Sequence, residues 1–265
     1  MIKVVATDMD GTFLNSRNDY DRKHFKVLFE KMTDQGIRFV SISGNQYYQI
    51  QSFFPELKDR ITFVGENGAY IVENGSFIKS HRLSNDTVRL VLDYLIENKF
   101  DHELVLCGEQ SAYILQASAQ EVKDYFSIYY HRLTAVETFA QLPDDNFMKF
   151  SFNSPENQTY AIVDALNDKL EGKVVAVTSG HGNIDVIAEG VNKGTAMAYL
   201  LDRWGVTAEE LAAFGDGGND IEMLKLAKYS YAMSNGSADV KAAASAIAPS
   251  NDDSGVLKTI EKLLI

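Results

Sequence analysis

Apolar residues first gather at positions 4–6, a short run that ends in Thr7-Asp8 and gives way to a loop containing Gly11. So brief an unbroken run, bounded by polar residues, predicts a buried strand. Over 22–35 the spacing changes: Phe25, Leu28, Phe29 and Met32 fall on one helical face, and Gly36 stands where a helix stops. Positions 37–42 predict a second strand, 46–54 a short helix closed by Pro55, and 61–64 a third strand followed by Glu66-Asn67-Gly68. Strands alternating with helices predict a parallel, doubly wound α/β sheet, Rossmann-like, whose ligands lie beyond the carboxyl ends of the strands. The polar residues at those ends are Asp8, Asp10 and Ser43.

The rhythm then changes. Asn74-Gly75 between two apolar runs predicts a hairpin. From Ser84 the order reads α-β-β-α-β-α-β-β, with Ser118-Ala-Gln-Glu121 as a capping box before a helix over 120–129 and Ser154-Pro155 opening another to 170. From Asn192 the α/β alternation resumes: a helix over 194–204, a strand over 211–214 ending in Gly215-Asp216-Gly217-Gly218-Asn219-Asp220, a strand over 229–233 and a helix over 255–264. The expected organisation is a core of residues 1–82 and 189–265, with an α+β domain of its own sheet inserted at 83–188. The aromatic residues Tyr47, Tyr48, Phe53 and Phe54 are read as packing.

Composition narrows the chemistry. With 25 basic against 37 acidic side chains the net charge is −12, and no basic cluster reverses the sign locally, which argues against nucleic acid and anionic membrane as partners. A single cysteine, Cys107, excludes an intrachain disulfide and a thiolate metal cluster. No stretch approaches the ~20 apolar residues of a membrane span, and the first apolar run is too short for a signal-peptide core. A cytoplasmic protein is expected.

Asp8-Met9-Asp10-Gly11-Thr12 sets two carboxylates two residues apart at a tight turn, where they repel unless a cation lies between them. Calcium-loop spacing fails, since its sixth and twelfth places hold Phe13 and Asp19. The Gly215–Asp220 loop is no dinucleotide fingerprint, because the third glycine would fall at Asp220. If the strands bearing Asp8 and Asp216 are neighbours, however, their carboxylates converge on one hard cation, for which oxygen ligands suit Mg²⁺. No phosphate-binding P-loop, zinc-spaced histidine set or nucleophile elbow is present.

Taken in order, Asp8-x-Asp10-Gly11-Thr12, the strand-end Ser43, Asn192-Lys193-Gly194 and Gly215-Asp216-Gly217-Gly218-Asn219-Asp220 resemble the four motifs of the haloacid dehalogenase (HAD) superfamily. About 150 residues separate Ser43 from Lys193, and an insert of that size is similar to the class IIB cap of the Cof-type phosphatases. Ser43-Gly44-Asn45-Gln46-Tyr47-Tyr48-Gln49 and residues 53–59 look like the bacterial sugar-phosphate phosphatases of that group. The resemblance implies Asp8 as nucleophile, Asp10 as general acid and base, and Mg²⁺ held by Asp8, Asp216 and the Asp10 backbone carbonyl. It also implies phosphoryl or substrate contacts from Thr12, Ser43, Gly44, Asn45, Lys193 and Asn219, with Asp220 behind them holding metal-bound waters or orienting Lys193. Many Cof-type relatives carry Arg where this chain has Asn45, whose amide offers both a donor and an acceptor. His181, in the Ser179–Asn183 turn of the insert, is a candidate substrate contact. The implied activity is Mg²⁺-dependent hydrolysis of small sugar phosphates, with no protein partner implied. A phosphomutase and a non-catalytic Mg²⁺-binding regulator are the alternatives.

Overall fold

The structure, a computed structural model, describes residues 1–180 and 182–264. The chain divides into two compact units, one formed by Met1–Gly44, Ile50–Ile78 and Asn192–Ile265, the other by Asn45–Gln49 and Lys79–Val191.

In the first unit β1 (Val4–Thr7) is wholly buried, because it has a parallel partner on each side: β2 (Arg38–Ile42) and β12 (Leu211–Gly215). Beyond β2 follow β3 (Thr62–Gly65), β4 (Tyr70–Glu73) and β5 (Ser76–Ser80); beyond β12 follow β13 (Tyr229–Met233) and β14 (Ala246–Ala248). The neighbours from β14 to β3 are parallel, and β4 joins β3 antiparallel. Parallel strands covered on both faces need continuous apolar runs, which is why β1, β2 and β12 lack polar alternation.

Among the described residues, helices α1 (Arg22–Asp34), α6 (Lys193–Trp204), α7 (Ile221–Leu226), α8 (Ala238–Ala243) and α9 (Gly255–Leu263) belong to this unit. Met197, Leu200 and Leu201 of α6 and Met223 and Leu224 of α7 pack with Val4, Ala6, Val40 and Ile42. An aromatic cluster holds the chain leaving Asp8: the ring of Phe13 lies 5.1 Å from Phe25, 5.7 Å from Phe39 and 5.6 Å from Phe54. Phe54 therefore packs as expected.

The second unit is built on a six-stranded sheet ordered β10-β11-β9-β6-β7-β8. Its strands are β6 (Leu104–Gly108), β7 (Ala112–Leu115), β8 (Leu133–Val136), β9 (Phe147–Asn153), β10 (Val174–Gly180) and β11 (Asn183–Ala188). Helices α3 (Asn85–Glu97) and α5 (Thr159–Lys169) contribute Val88, Leu92, Leu95 and Leu166 to one apolar layer with Leu104, Leu106, Phe150, Phe152, Ile184 and Val186. Val105, Cys107 and Ile114, which alternate to the opposite side, meet Phe126 of α4 (Gln120–Tyr129) and Tyr130.

Several local expectations are corrected. The sequence pattern gives no sign of β8 and β14; both are edge strands, only three or four residues long and half exposed, so alternation has too little length to register. Ser118 does not cap α4: Ala119 holds the N-cap position, and the Ser118 hydroxyl is buried without a hydrogen-bond partner. The helix expected from Pro155 begins as a single 3-10 turn over Glu156–Gln158 before α5.

Residues 45–49, which the alternation assigns to the core, take their contacts in the second unit. There the α2 helix (Tyr47–Ile50) starts, and the Gln46 amide donates to the Arg132 carbonyl at 3.0 Å and accepts its N–H at 2.8 Å. The Arg132 guanidinium lies 3.6 Å above the Tyr48 ring, whose hydroxyl donates to the Glu109 carbonyl. Tyr48 is thus a polar, cation-binding contact rather than plain packing. His181 lies outside the described residues. Among the described residues no helix is long and apolar enough to cross a membrane.

Candidate active site

Two adjacent strand ends and one helix start bring the carboxylates and Lys193 together in the first unit. Residues Thr7 and Phe214 are register partners in β1 and β12, so Asp8 and Asp216 leave adjacent parallel strands at the same level. After Asp8 the chain makes a wide turn over Met9–Phe13, in which the Phe13 N–H donates back to the Asp8 carbonyl. Gly11 stands there at φ +73°, and a β-carbon on it would fall 2.4 Å from the Asp216 carboxylate. Only glycine lets the two loops approach so closely. Thr12 closes the approach from the other side, donating its hydroxyl to Asp216 Oδ1 at 2.6 Å.

Lys193 is the first residue of α6, and Asn192 caps that helix in a capping box with Thr195. The cap fixes where the lysine side chain starts. Its ammonium donates to Asp8 Oδ1 at 2.5 Å and to Asp220 Oδ1 at 2.6 Å, and both Lys193 and Asp220 are essentially inaccessible to solvent. The second oxygen of Asp220 accepts the backbone N–H groups of Asp216 and Gly217 at 3.0 and 2.9 Å. Both Asp220 oxygens are thus engaged, one by Lys193 and the other by the Asp216 loop.

The electrostatics leave the carboxylates short of positive charge. Carboxylate oxygens of Asp8, Asp216 and Asp220 lie within 4.8 Å of one another, with one ammonium among them. Burial raises the Asp8 pKa well above the usual carboxylate range, and the nearby Asp220 and Asp216 charges push it the same way against Lys193. Burial likewise raises Asp216 to about 6 against the Thr12 hydrogen bond, with the charges of Asp220 and Asp10 adding to the rise. The Lys193 ammonium, flanked by two carboxylates, is held above the ordinary lysine value despite its burial. Oxygen donors that are reluctant to ionise alone suit a hard divalent cation such as Mg²⁺, and the donor set fits one. Asp10, exposed on the Met9–Phe13 turn, lies outside the carboxylate cluster, so a metal contact from it would come through its backbone carbonyl.

Ser43 and Gly44 extend beyond β2, where the Ser43 N–H donates to the Val64 carbonyl at 2.9 Å. Asn45 is half-buried and belongs with the second unit. The Asn219 amide donates to Asn67 Oδ1 at 3.0 Å. Two neighbours were missed from the sequence. Asn67 follows β3, and Asn235 donates to the Gly11 carbonyl at 2.7 Å while its own oxygen accepts the Asn251 N–H at 3.1 Å. Both stand in Asn-Gly dipeptides just after a strand of the parallel sheet, Asn67-Gly68 after β3 and Asn235-Gly236 after β13, and that placement was the available signal.

A family model for haloacid dehalogenase-like hydrolases matches residues 5–260. The chain belongs to that family. It is 42% identical over 263 residues to the Escherichia coli K12 protein named 5-amino-6-(5-phospho-D-ribitylamino)uracil phosphatase YbjI, covering 99% of this chain and 96% of that one. A Bacillus subtilis protein of the same function name, YcsE, is 27% identical over 98% of this chain and 94% of its own length. The crystal structure of SMU.1108c from Streptococcus mutans UA159 superposes with a TM-score of 0.94 at 41% identity, covering all of this chain and 99% of that one. With phosphatases matched along its whole length, the chain is a HAD-family hydrolase of phosphoric monoesters.

Proposed function

We propose that this enzyme is a Mg²⁺-dependent phosphatase that releases phosphate from a small phosphorylated sugar or polyol through an aspartyl-phosphate on Asp8. The observation that carries the reading is the buried Asp8–Lys193–Asp220 array beside Asp216. Asp8, Asp216 and the Asp10 carbonyl would hold Mg²⁺, whose charge lets a phosphate dianion approach a carboxylate.

An Asp8 carboxylate oxygen attacks phosphorus in line, forming the Asp8–phosphorus bond as the ester P–O bond breaks. The departing alkoxide takes a proton from Asp10. Asp10 then removes a proton from the water that attacks the phosphoryl group, which leaves as inorganic phosphate and restores the Asp8 carboxylate. Lys193, which stays an ammonium throughout, and Ser43 receive the equatorial oxygens, where charge spreads in the transition state. Thr12 and Asp220 act on Asp216 and Lys193 by the hydrogen bonds they make.

Support for the substrate class comes from the relatives, three of which are named for a uracil bearing a phosphorylated ribityl chain. A phosphorylated open-chain polyol and a sugar phosphate share the hydroxyl-rich leaving group next to the ester. Such substrates fit a cytoplasmic setting.

The test is a panel of phosphorylated metabolites, including that ribityl compound and hexose monophosphates, ranked by kcat/KM. Free phosphate from at least one member is expected, with loss of turnover in EDTA and in Asp8→Asn at an unchanged melting temperature. Near-normal turnover by Asp8→Asn overturns the nucleophile. An isomeric ester in place of free phosphate makes the enzyme a mutase, and absence of any turnover leaves a regulator.

A further inference from the structure

We propose that Asn67 is a positioning residue: its side-chain amide, held in place by a left-handed turn, sets the spacing of the segments that carry Ser43–Gly44, Lys193 and Asn219. The inference rests on the phosphatase reading above and deepens it.

The turn is conformationally unusual. Glu66, Asn67 and Gly68 have φ of +53°, +56° and +105°, three successive residues on the left-handed side, two of them not glycine and both buried. Non-glycine residues adopt that region at a cost and persist in it where the surroundings over-determine them. The contacts here show what is determined. The Asn67 N–H donates to the Ser43 carbonyl at 3.0 Å. Asn67 Oδ1 lies where a β-carbon on Gly44 would come within 3.0 Å, and the same oxygen accepts the Asn219 amide at 3.0 Å. A β-carbon on Gly68 would fall 2.5 Å from the Asn192 carbonyl, one residue before Lys193. One turn of three residues thus touches the ends of β2, α6 and the loop after β12.

An ordinary right-handed turn after β3 would release these contacts. Asn67 therefore acts on catalysis by pre-setting the phosphoryl-oxygen groups before substrate arrives. It need not touch the substrate itself.

Replacement by glycine separates this role from a structural one, since glycine accepts a left-handed φ freely but removes the amide. Asn67→Gly is expected to hold its melting temperature within about 3 °C, while kcat/KM falls roughly 10- to 100-fold. Inhibition by orthovanadate, a phosphate mimic, should weaken in parallel. In a double-mutant cycle with Asn219→Ala, the two losses should fail to add. If glycine lowers the melting temperature, Asn67→Ser, too short to reach the Asn219 amide, replaces it in the same cycle. A kcat/KM within twofold of the parent, or strictly additive losses, overturns the proposal. A parent enzyme that releases no phosphate overturns the phosphatase reading instead, and Asn67 is then judged on orthovanadate binding measured by calorimetry.

Discussion

Lys193 illustrates how much one side chain can hold. Its ammonium lies between Asp8 and Asp220 with almost no solvent contact, so each carboxylate depends on it for compensation. Removing one partner of a buried ion pair costs about 3–5 kcal/mol, because the remaining charges stay desolvated. Lys193→Met should therefore lose both turnover and roughly that much stability in urea unfolding. Adding Asp220→Asn to it should return part of the stability and none of the turnover. If Lys193→Met melts like the parent, the array does not carry the charge balance assigned to it. At this scale the motif residues were legible because their chemistry is tied to residue type. Asn67 and Asn235 were not, since an asparagine in a turn looks the same whether it holds a catalytic loop or merely bends the chain.

The elements position these side chains through their ends. α6 starts where it does because Asn192 accepts the Thr195 N–H at 2.8 Å and Thr195 returns its hydroxyl oxygen to the Asn192 N–H. Loss of such a cap costs about 1 kcal/mol. Asn192→Ala should destabilise the protein by that amount and raise KM, because the first turn carrying Lys193 frays; Asn192→Asp should restore most of both. An unchanged KM in a destabilised Asn192→Ala protein would confine the cap to a structural role. The central strands were readable as unbroken apolar runs, and α1, α4 and α6 as periodic or capped segments. β8 and β14 were not readable, since an edge strand with one partner needs little apolar character. The attachment of residues 45–49 to the second unit was equally hidden, because it is made by a glutamine amide and a guanidinium over a ring, contacts that leave no periodic trace.

Over the whole molecule the acidic site couples folding to pH and, on the proposed function, would couple it to metal. The Asp216 pKa of about 6 and the raised Asp8 both lie above the unfolded carboxylate value, so the native metal-free protein binds protons more tightly than the unfolded chain. The stability this gives is complete below pH 4 and is lost as pH rises through 6, an effect of roughly 1–3 kcal/mol. On the proposed function, Mg²⁺ would bind the ionised carboxylates and stabilise by mass action. Scanning calorimetry should then show a melting temperature in EDTA that falls between pH 5 and 7, and a Mg²⁺-induced increase that is small at pH 5 and grows to pH 7. A Mg²⁺ effect that is flat with pH would detach the cation from these carboxylates.

The order of apolar runs and the residue types at their ends pointed, without coordinates, to a parallel α/β core with an α+β insert and to Asp8, Asp216 and Lys193 as residues to look for at the strand and helix ends. Those features follow from local rules, strand length, helical period and the chemistry of Asp, Lys and Ser, which are written along the chain. Only the tertiary structure decided that β1 and β12 are neighbours, that Asp220 spends both oxygens on Lys193 and the loop N–H groups, and that a left-handed turn at Asn67 ties three distant segments together. These are distances between residues far apart in sequence, set by packing, and no pattern along one segment encodes them.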